Sequence, residues 1–165
     1  MKSILLLLII FITPLTAISQ EIPLGANIIE LQTNHKRISS AVRKTAALLN
    51  EGGIGLARAD KKKGVIITQE YPYRFVINEL ILTFHESEKG VVIKLFGVYY
   101  YEPKEFWEGH YVIHGGGTIE YIGPPETKLM QAWEGLQKVA NMIEHSGKKY
   151  ISTNSRVNIP RDWPE

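Results

Sequence analysis

The chain has 165 residues, a formal net charge of +2 at pH 7 and no cysteine. This length fits a single domain, and the small net charge argues against a nucleic-acid-binding protein. Because cysteine is absent, disulfides, thiolate metal sites, a cysteine nucleophile and a lipid-anchored lipoprotein are all excluded.

The first nineteen residues have the three-part organisation of a secretory signal peptide. Met1–Ser3 is a short, positively charged start, Ile4–Ile12 is an unbroken apolar run, and small residues precede the junction of Ser19 with Gln20. We predict cleavage between Ser19 and Gln20, at a junction that resembles those of Bacteroidota-type bacteria. The apolar run is shorter than the ~20 residues that a membrane-spanning helix needs. We therefore expect an exported protein, periplasmic or secreted, with no transmembrane segment in the mature chain.

The first elements of the mature chain are a short strand and an amphipathic helix. Ala26–Leu31 is rich in β-branched residues, which favours a strand. Thr33 or Asn34 is the predicted N-cap of the helix, and Gly52–Gly53 is its predicted end. One apolar face has helical spacing and consists of Ile38, Ala41, Val42, Thr45, Leu48 and Leu49.

Two hairpins follow this helix. Asp60 and Gly64 bound the turn of the first hairpin, and Tyr71–Tyr73 forms a corner before the second one. In the first long strand Phe75 is predicted to share a side with Ile77, and both sides are largely apolar. Such a strand is either covered on both faces or uses one face for binding. The predicted strands are Ile54–Ala59, Val65–Gln69, Arg74–His85 and Val91–Tyr101.

A second helix lies near the end of the chain. Gly115–Gly117 is a predicted flexible joint, Thr118–Ile122 a short strand, and Pro124–Pro125 the start of the helix. Gly147 is its predicted end. Its apolar stripe consists of Leu129, Ala132, Trp133, Leu136, Val139, Ala140 and Ile143.

These elements predict an α+β fold: a twisted antiparallel sheet of five to seven strands with two amphipathic helices packed on one face. The expected organisation is a signal peptide at residues 1–19, a single domain at 20–151 and a flexible C-terminal tail at 152–165.

One stretch resembles a known class of domain. An amphipathic helix is followed by Gly52–Ile54, by Asp60 with Gly64 four residues later, and by Ile66–Thr68. This order resembles small bacterial envelope domains of the TATA-binding-protein-like or BamC-like type. The resemblance covers residues 34–69 and implies an assembly or interaction module of the envelope, without assigning a function to any residue.

The sequence offers weak candidates for chemistry. His110 and His114 are spaced to share one face of a strand or helix, but a zinc site needs three or four ligands and nothing fixes the others. No nucleophile elbow or phosphate-binding loop is present. We therefore predict no catalytic residue, no metal site beyond this weak pair, and no cofactor.

The basic clusters are predicted to be solvent-exposed faces or turns. An acidic partner or an anionic lipid headgroup is the alternative that they leave open. They comprise residues 35–37, 43–44, 61–63 and 148–149.

Aromatic residues form the most suggestive cluster. Successive tyrosines on a strand point to opposite faces, and tyrosine and tryptophan are favoured at interfaces. Core packing is the alternative role for these side chains. The candidate binding residues are Tyr99, Tyr101, Phe106, Trp107 and Tyr111.

The sequence thus predicts a non-enzymatic binding module that contacts an envelope protein or a glycan through the open sheet face and the region from Tyr99 to Trp107. Two alternatives remain. One is an envelope-associated hydrolase that uses His110, His114 and nearby glutamates. The other is a carrier with an enclosed apolar cavity on the order of 300 Å³ or more between sheet and helices. The partner and the oligomeric state are not specified by the sequence.

Overall fold

The computed structural model describes residues 21–101, 115–123 and 127–153 in full, and the backbone alone of residues 105–107 and 110–112. The predicted signal peptide, its cleavage site at Ser19 and Gln20, His114 and residues 154–165 of the predicted tail lie outside these ranges. Ser152, the first residue of the predicted tail, lies within them, at the end of a strand.

The described chain alternates short and long strands with two helices. In chain order the elements are β1 (Ala26–Gln32), α1 (Ile38–Glu51), β2 (Leu56–Asp60), β3 (Val65–Thr68), β4 (Tyr71–Tyr73), β5 (Val76–Ser87), β6 (Gly90–Tyr100), β7 (Glu105–Trp107), β8 (His110–Val112), β9 (Gly116–Thr118), α2 (Lys128–Met142) and β10 (Gly147–Ser152).

The strands form an α+β fold around one antiparallel sheet. Its main path runs β10-β1-β6-β5-β3-β2, with β4 added beside β5 and β9 added beside β6, while β7 and β8 pair separately. Over the described residues the sheet therefore has eight strands, and the expected five to seven was too few. The long β5–β6 hairpin forms the centre of the sheet. Its register is continuous from Ile77 opposite Tyr100 to Ser87 opposite Gly90.

The additional strands are short or lack a clear apolar alternation. Tyr71–Tyr73 was expected as a corner but pairs with Val76, Ile77 and Asn78 of β5. Gly116–Thr118 was expected to be partly a flexible joint, yet it pairs with the end of β6. β10 begins at Gly147, where the helix was expected to end. Pairing with an existing strand stabilises such segments, and local sequence does not report that pairing.

The helix boundaries also differ from the expected ones. Arg37 occupies the N-cap position of α1 without a capping side-chain bond, whereas Thr33, one of the two expected caps, donates from Oγ1 to the carbonyl oxygen of Val91 at 2.8 Å. The helix ends before Gly52 as expected. α2 ends at Met142, five residues before Gly147.

Both helices and one face of the sheet share a single hydrophobic core. Leu80, Leu82 and Phe84 alternate along β5 toward this core, as the period of a strand requires. Trp133 of α2 is 1% exposed and packs between two rings, with centroid distances of 5.9 Å to Tyr121 and 6.0 Å to Tyr150. In the described part of the chain, neither helix has the length and apolar character needed to cross a membrane.

Candidate functional site

The strand termini bring several apolar side chains to one end of the sheet. Ile77 near the start of β5 lies opposite Tyr100 at the end of β6. β1 starts at the same end, because it runs antiparallel to β6 with Ile29 opposite Leu95. We call this the tyrosine end and define it by the side chains of Leu24, Phe75, Tyr99, Tyr101 and Ile122.

The tyrosine end carries the large apolar side chains that the described part of the chain leaves exposed. Phe75 is 77% exposed and Leu24 71%, and Ile122 and Tyr101 follow at 38% and 37%. Leu24 and Ile122 flank the start of β1, since the Gly25 N–H donates to the Tyr121 carbonyl and the Tyr121 N–H donates to that of Ala26, both at 2.8 Å. Exposed apolar side chains gathered in one region mark interaction sites more often than scattered ones do.

Phe75 is held on a fixed hairpin. β4 and β5 are joined by Arg74 and Phe75, with Tyr73 opposite Val76. Arg74 has a φ of +54°, an uncommon conformation for a residue other than glycine. Such strain persists only where the surroundings enforce it, and it clusters at functional sites.

Two contacts join this turn to α2. Arg74 Nη1 lies 2.9 Å from Glu134 Oε2, and the Phe75 N–H donates to Gln131 Oε1 at 3.3 Å. The hairpin is thus anchored by its polar atoms, and the Phe75 ring remains in solvent. Because the backbone at Phe75 already bonds to α2, a partner that covers the ring does not have to order the hairpin.

The three consecutive tyrosines have three environments. Tyr100 is fully buried and donates from its hydroxyl to Glu79 Oε1 at 3.4 Å. Burial, together with the hydrogen bonds and charges of Glu70 and Glu79, raises the pKa of Tyr100 far above its usual value, so it stays protonated. Tyr99 is half-buried against the core, and burial also raises its pKa, with smaller contributions from Tyr101 and Glu120.

Tyr101 is the exposed member of the three. Its ring lies under the ammonium of Lys128, with Nζ 3.5 Å from the ring centroid, and its N–H donates to the Gly115 carbonyl at 3.3 Å. Phe106 and Trp107 lie in β7 and Tyr111 lies in β8, but the side chains of all three are outside the described atoms. Their predicted binding role stays a prediction.

The sheet face opposite the helices, which we call the open face, is only partly available. Its centre is apolar, with Ile81 opposite both Ile67 and Phe96. Ile67 and Ile81 are nonetheless buried, at 7% and 5% exposure. Ion pairs also lie on it, between Glu30 Oε2 and Lys94 Nζ at 3.8 Å and between Asp60 Oδ2 and Arg58 Nη2 at 3.0 Å. The open face therefore offers less exposed apolar surface than its composition suggests.

The candidates for metal chemistry find no support in the described atoms. His110 pairs with Trp107 through the backbone of β8 and β7. Over the ranges with described side chains, no three histidine, aspartate or glutamate residues are placed to hold a metal ion. His85, for instance, is exposed and its Nε2 lies 3.0 Å from Thr83 Oγ1.

A groove of about 420 Å³ runs along α2, but it does not have the properties that a carrier needs. Tyr73 and Met142 are its apolar lining residues, and the others are Glu134, Gln137, Lys138 and Asn141. It is open to solvent and four of its six lining residues are polar, whereas a carrier of an apolar ligand needs an enclosed apolar cavity.

No protein-family model matches the chain, and no curated protein matches it in sequence. The resemblance to TATA-binding-protein-like or BamC-like envelope domains stays a prediction. The candidate site therefore rests on geometry, and its most exposed residues differ from those expected. The sequence places Phe75 on a strand face with Ile77, but Phe75 lies with Arg74 in the turn between β4 and β5.

Proposed function

We propose that this chain is an exported, non-enzymatic binding module of the bacterial envelope, and that its tyrosine end contacts a partner protein. The observation that carries the proposal is the gathering of Leu24, Phe75, Tyr101 and Ile122, all exposed, at one end of the sheet. Export follows from the predicted signal peptide at residues 1–19 and places the module in the periplasm or outside the cell.

The chemistry of the tyrosine end favours a protein over a glycan as the partner. Aliphatic side chains such as Leu24 and Ile122 contribute to burial against another apolar surface but offer nothing to a sugar hydroxyl. Protein interfaces typically centre on a few aromatic anchors within an apolar patch and have a polar rim. Here the anchors are Phe75 and Tyr101, and Arg74 and Lys128 supply charged groups beside them.

Site-specific photo-crosslinking in the cell that makes the protein tests this proposal. A photoreactive residue replaces Phe75 or Ile122 in separate variants, and Ala57, an exposed residue of edge strand β2, provides the control position. We expect the same discrete protein adduct at positions 75 and 122 and no such adduct at position 57. The absence of a specific adduct at the tyrosine end, or an identical adduct pattern at position 57, would contradict the proposal.

A further inference from the structure

A cleft of about 490 Å³ lies at the opposite end of the sheet from the tyrosine end. Arg37, Ser39, Ser40 and Arg43 of the α1 region line one wall, and Lys61 of the β2–β3 turn lines the other. Two separate elements therefore direct three cationic side chains and two hydroxyl groups toward one volume. We call this the basic cleft.

The turn that carries Lys61 has a fixed shape. Asp60 Oδ1 accepts hydrogen bonds from the N–H groups of Lys62 and Lys63, both at 2.9 Å. The other carboxylate oxygen, Oδ2, lies 3.0 Å from Arg58 Nη2. The Asp60 carboxylate, the nearest in sequence to Lys61, is thus occupied by the turn N–H groups and by Arg58. It therefore does not serve as the counter-ion of Lys61.

The turn is also packed against α1. Gly64 has a φ of +64°, and a Cβ at this position would lie 2.9 Å from both Ile38 Cγ2 and the Phe84 carbonyl oxygen. The Phe84 N–H donates to the Gly64 carbonyl at 2.9 Å. Close packing of this kind fixes the two walls of the basic cleft relative to each other before any ligand arrives.

The positive charges of the basic cleft lack compensation. Within the described part of the chain, Arg37, Arg43 and Lys61 form no ion pair, whereas Lys44, next to Arg43, has its Nζ 2.6 Å from Glu144 Oε2. The first turn of α1 contains no acidic residue. The whole chain has a net charge of only +2, so three cations lining one cleft form a local concentration of positive charge that attracts anions.

We propose that the basic cleft binds a phosphoryl group, carried either by a small phosphorylated molecule or by a lipid headgroup. A phosphoryl group has enough acceptor oxygens for all three cations and both hydroxyls, and arginine matches its geometry in a bidentate manner. A single carboxylate would leave part of this donor set unused. The inference is independent of the tyrosine end and of the partner protein proposed there.

Calorimetric titration of the mature full-length chain with pyrophosphate and with inorganic phosphate, at constant ionic strength, tests the phosphoryl site. Sedimentation with phosphatidylglycerol-containing vesicles, compared with pure phosphatidylcholine vesicles, tests the headgroup source. The cleft variant is Arg43→Gln with Lys61→Gln. The matched control, Lys62→Gln with Lys63→Gln, removes the same charge from neighbouring residues that do not line the cleft.

We expect the cleft variant to weaken binding about tenfold or more and the control to weaken it less than about threefold, as for exposed charges. Saturable pyrophosphate binding identifies a small-molecule source, and cleft-dependent binding to phosphatidylglycerol vesicles alone identifies a headgroup source.

Equal losses in both variants would show diffuse charge attraction and overturn the proposal. So would the absence of binding to phosphate, pyrophosphate and phosphatidylglycerol vesicles. Arg37→Gln provides a second cleft variant should the double substitution impair folding.

Discussion

At the level of single residues, the consecutive tyrosines Tyr99, Tyr100 and Tyr101 show how strand alternation gives identical neighbours different environments. Tyr99 and Tyr100 point to opposite faces of β6, as the alternation of a strand requires. The alternation does not predict that Tyr100, on the open face, is the fully buried one. Its hydroxyl donates to Glu79, which lies 21 residues away in the chain and adjoins Tyr100 only after β5 and β6 pair. Sequence spacing therefore predicted the geometry of the tyrosines but not their environments.

Asp60 is the residue whose charge has the clearest consequence for stability. The Lys63 N–H and the Arg58 guanidinium are the main groups that lower its pKa below the usual 3.8, with the Lys62 N–H adding to the effect. A carboxyl whose pKa is lowered on folding stabilises the folded state above its unfolded pKa, and this stabilisation is lost as the pH falls through the folded value. Asp60→Asn should therefore lower the urea unfolding midpoint at pH 7, and its difference from the wild type should shrink below about pH 4.

Asparagine has nearly the same shape as aspartate, and its Oδ1 can still accept the two backbone hydrogen bonds. The substitution therefore removes the charge and the Arg58 contact of Oδ2 but keeps the backbone bonds of the turn. The pKa of Glu144, which is also lowered, chiefly by Lys44, affects both proteins equally and cancels. A midpoint difference that is the same at pH 7 and pH 3, or an Asp60 pKa of 3.8 or higher by NMR titration, would show that this account of the turn is wrong.

The elements with strong periodicity were the predictable ones. The spacing of Ala41, Val42, Thr45 and Leu49 located α1, and these residues are its buried face. The β2–β3 hairpin was located by its Asp60–Gly64 turn, and β5 and β6 by the long apolar runs Arg74–His85 and Val91–Tyr101. β4 and β10 were not expected as strands, and β9 begins two residues before the strand expected at Thr118–Ile122. Segments of three to six residues carry little pattern, and their pairing depends on distant partners such as Asn78 and Ile29.

Helix α2 has a side-chain N-cap, which α1 lacks. Thr127 Oγ1 accepts a hydrogen bond from the Met130 N–H at 3.1 Å, which satisfies one of the free N–H groups of the first turn. Thr127→Ala should lower the free energy of unfolding by about 1 kcal/mol, whereas Thr127→Ser should preserve it to within a few tenths of a kcal/mol. Urea denaturation measures both; equal stability of the alanine variant and the wild type would exclude a capping role for this hydroxyl.

The whole molecule has two ends of different chemistry. The tyrosine end exposes Phe75 and Leu24, and the basic cleft at the other end presents Arg43 and Lys61. The packed core between them, which includes Trp133, provides a rigid scaffold for both surfaces. The sequence indicated an aromatic surface near Tyr99 and exposed basic clusters, but only the folded chain shows that they occupy opposite ends. A module built in this way can hold a partner protein at one end and an anionic group at the other.

The affinity of the purified mature chain for the protein captured at position 75 is the most direct test of the binding function. We predict that Phe75→Ala weakens this affinity about tenfold or more, as for an interface anchor, while leaving the unfolding midpoint unchanged because the ring is exposed. Ala57→Ser on edge strand β2 should change the affinity less than about twofold. Unchanged affinity in a folded Phe75→Ala variant would contradict the assignment of the tyrosine end as the contact surface.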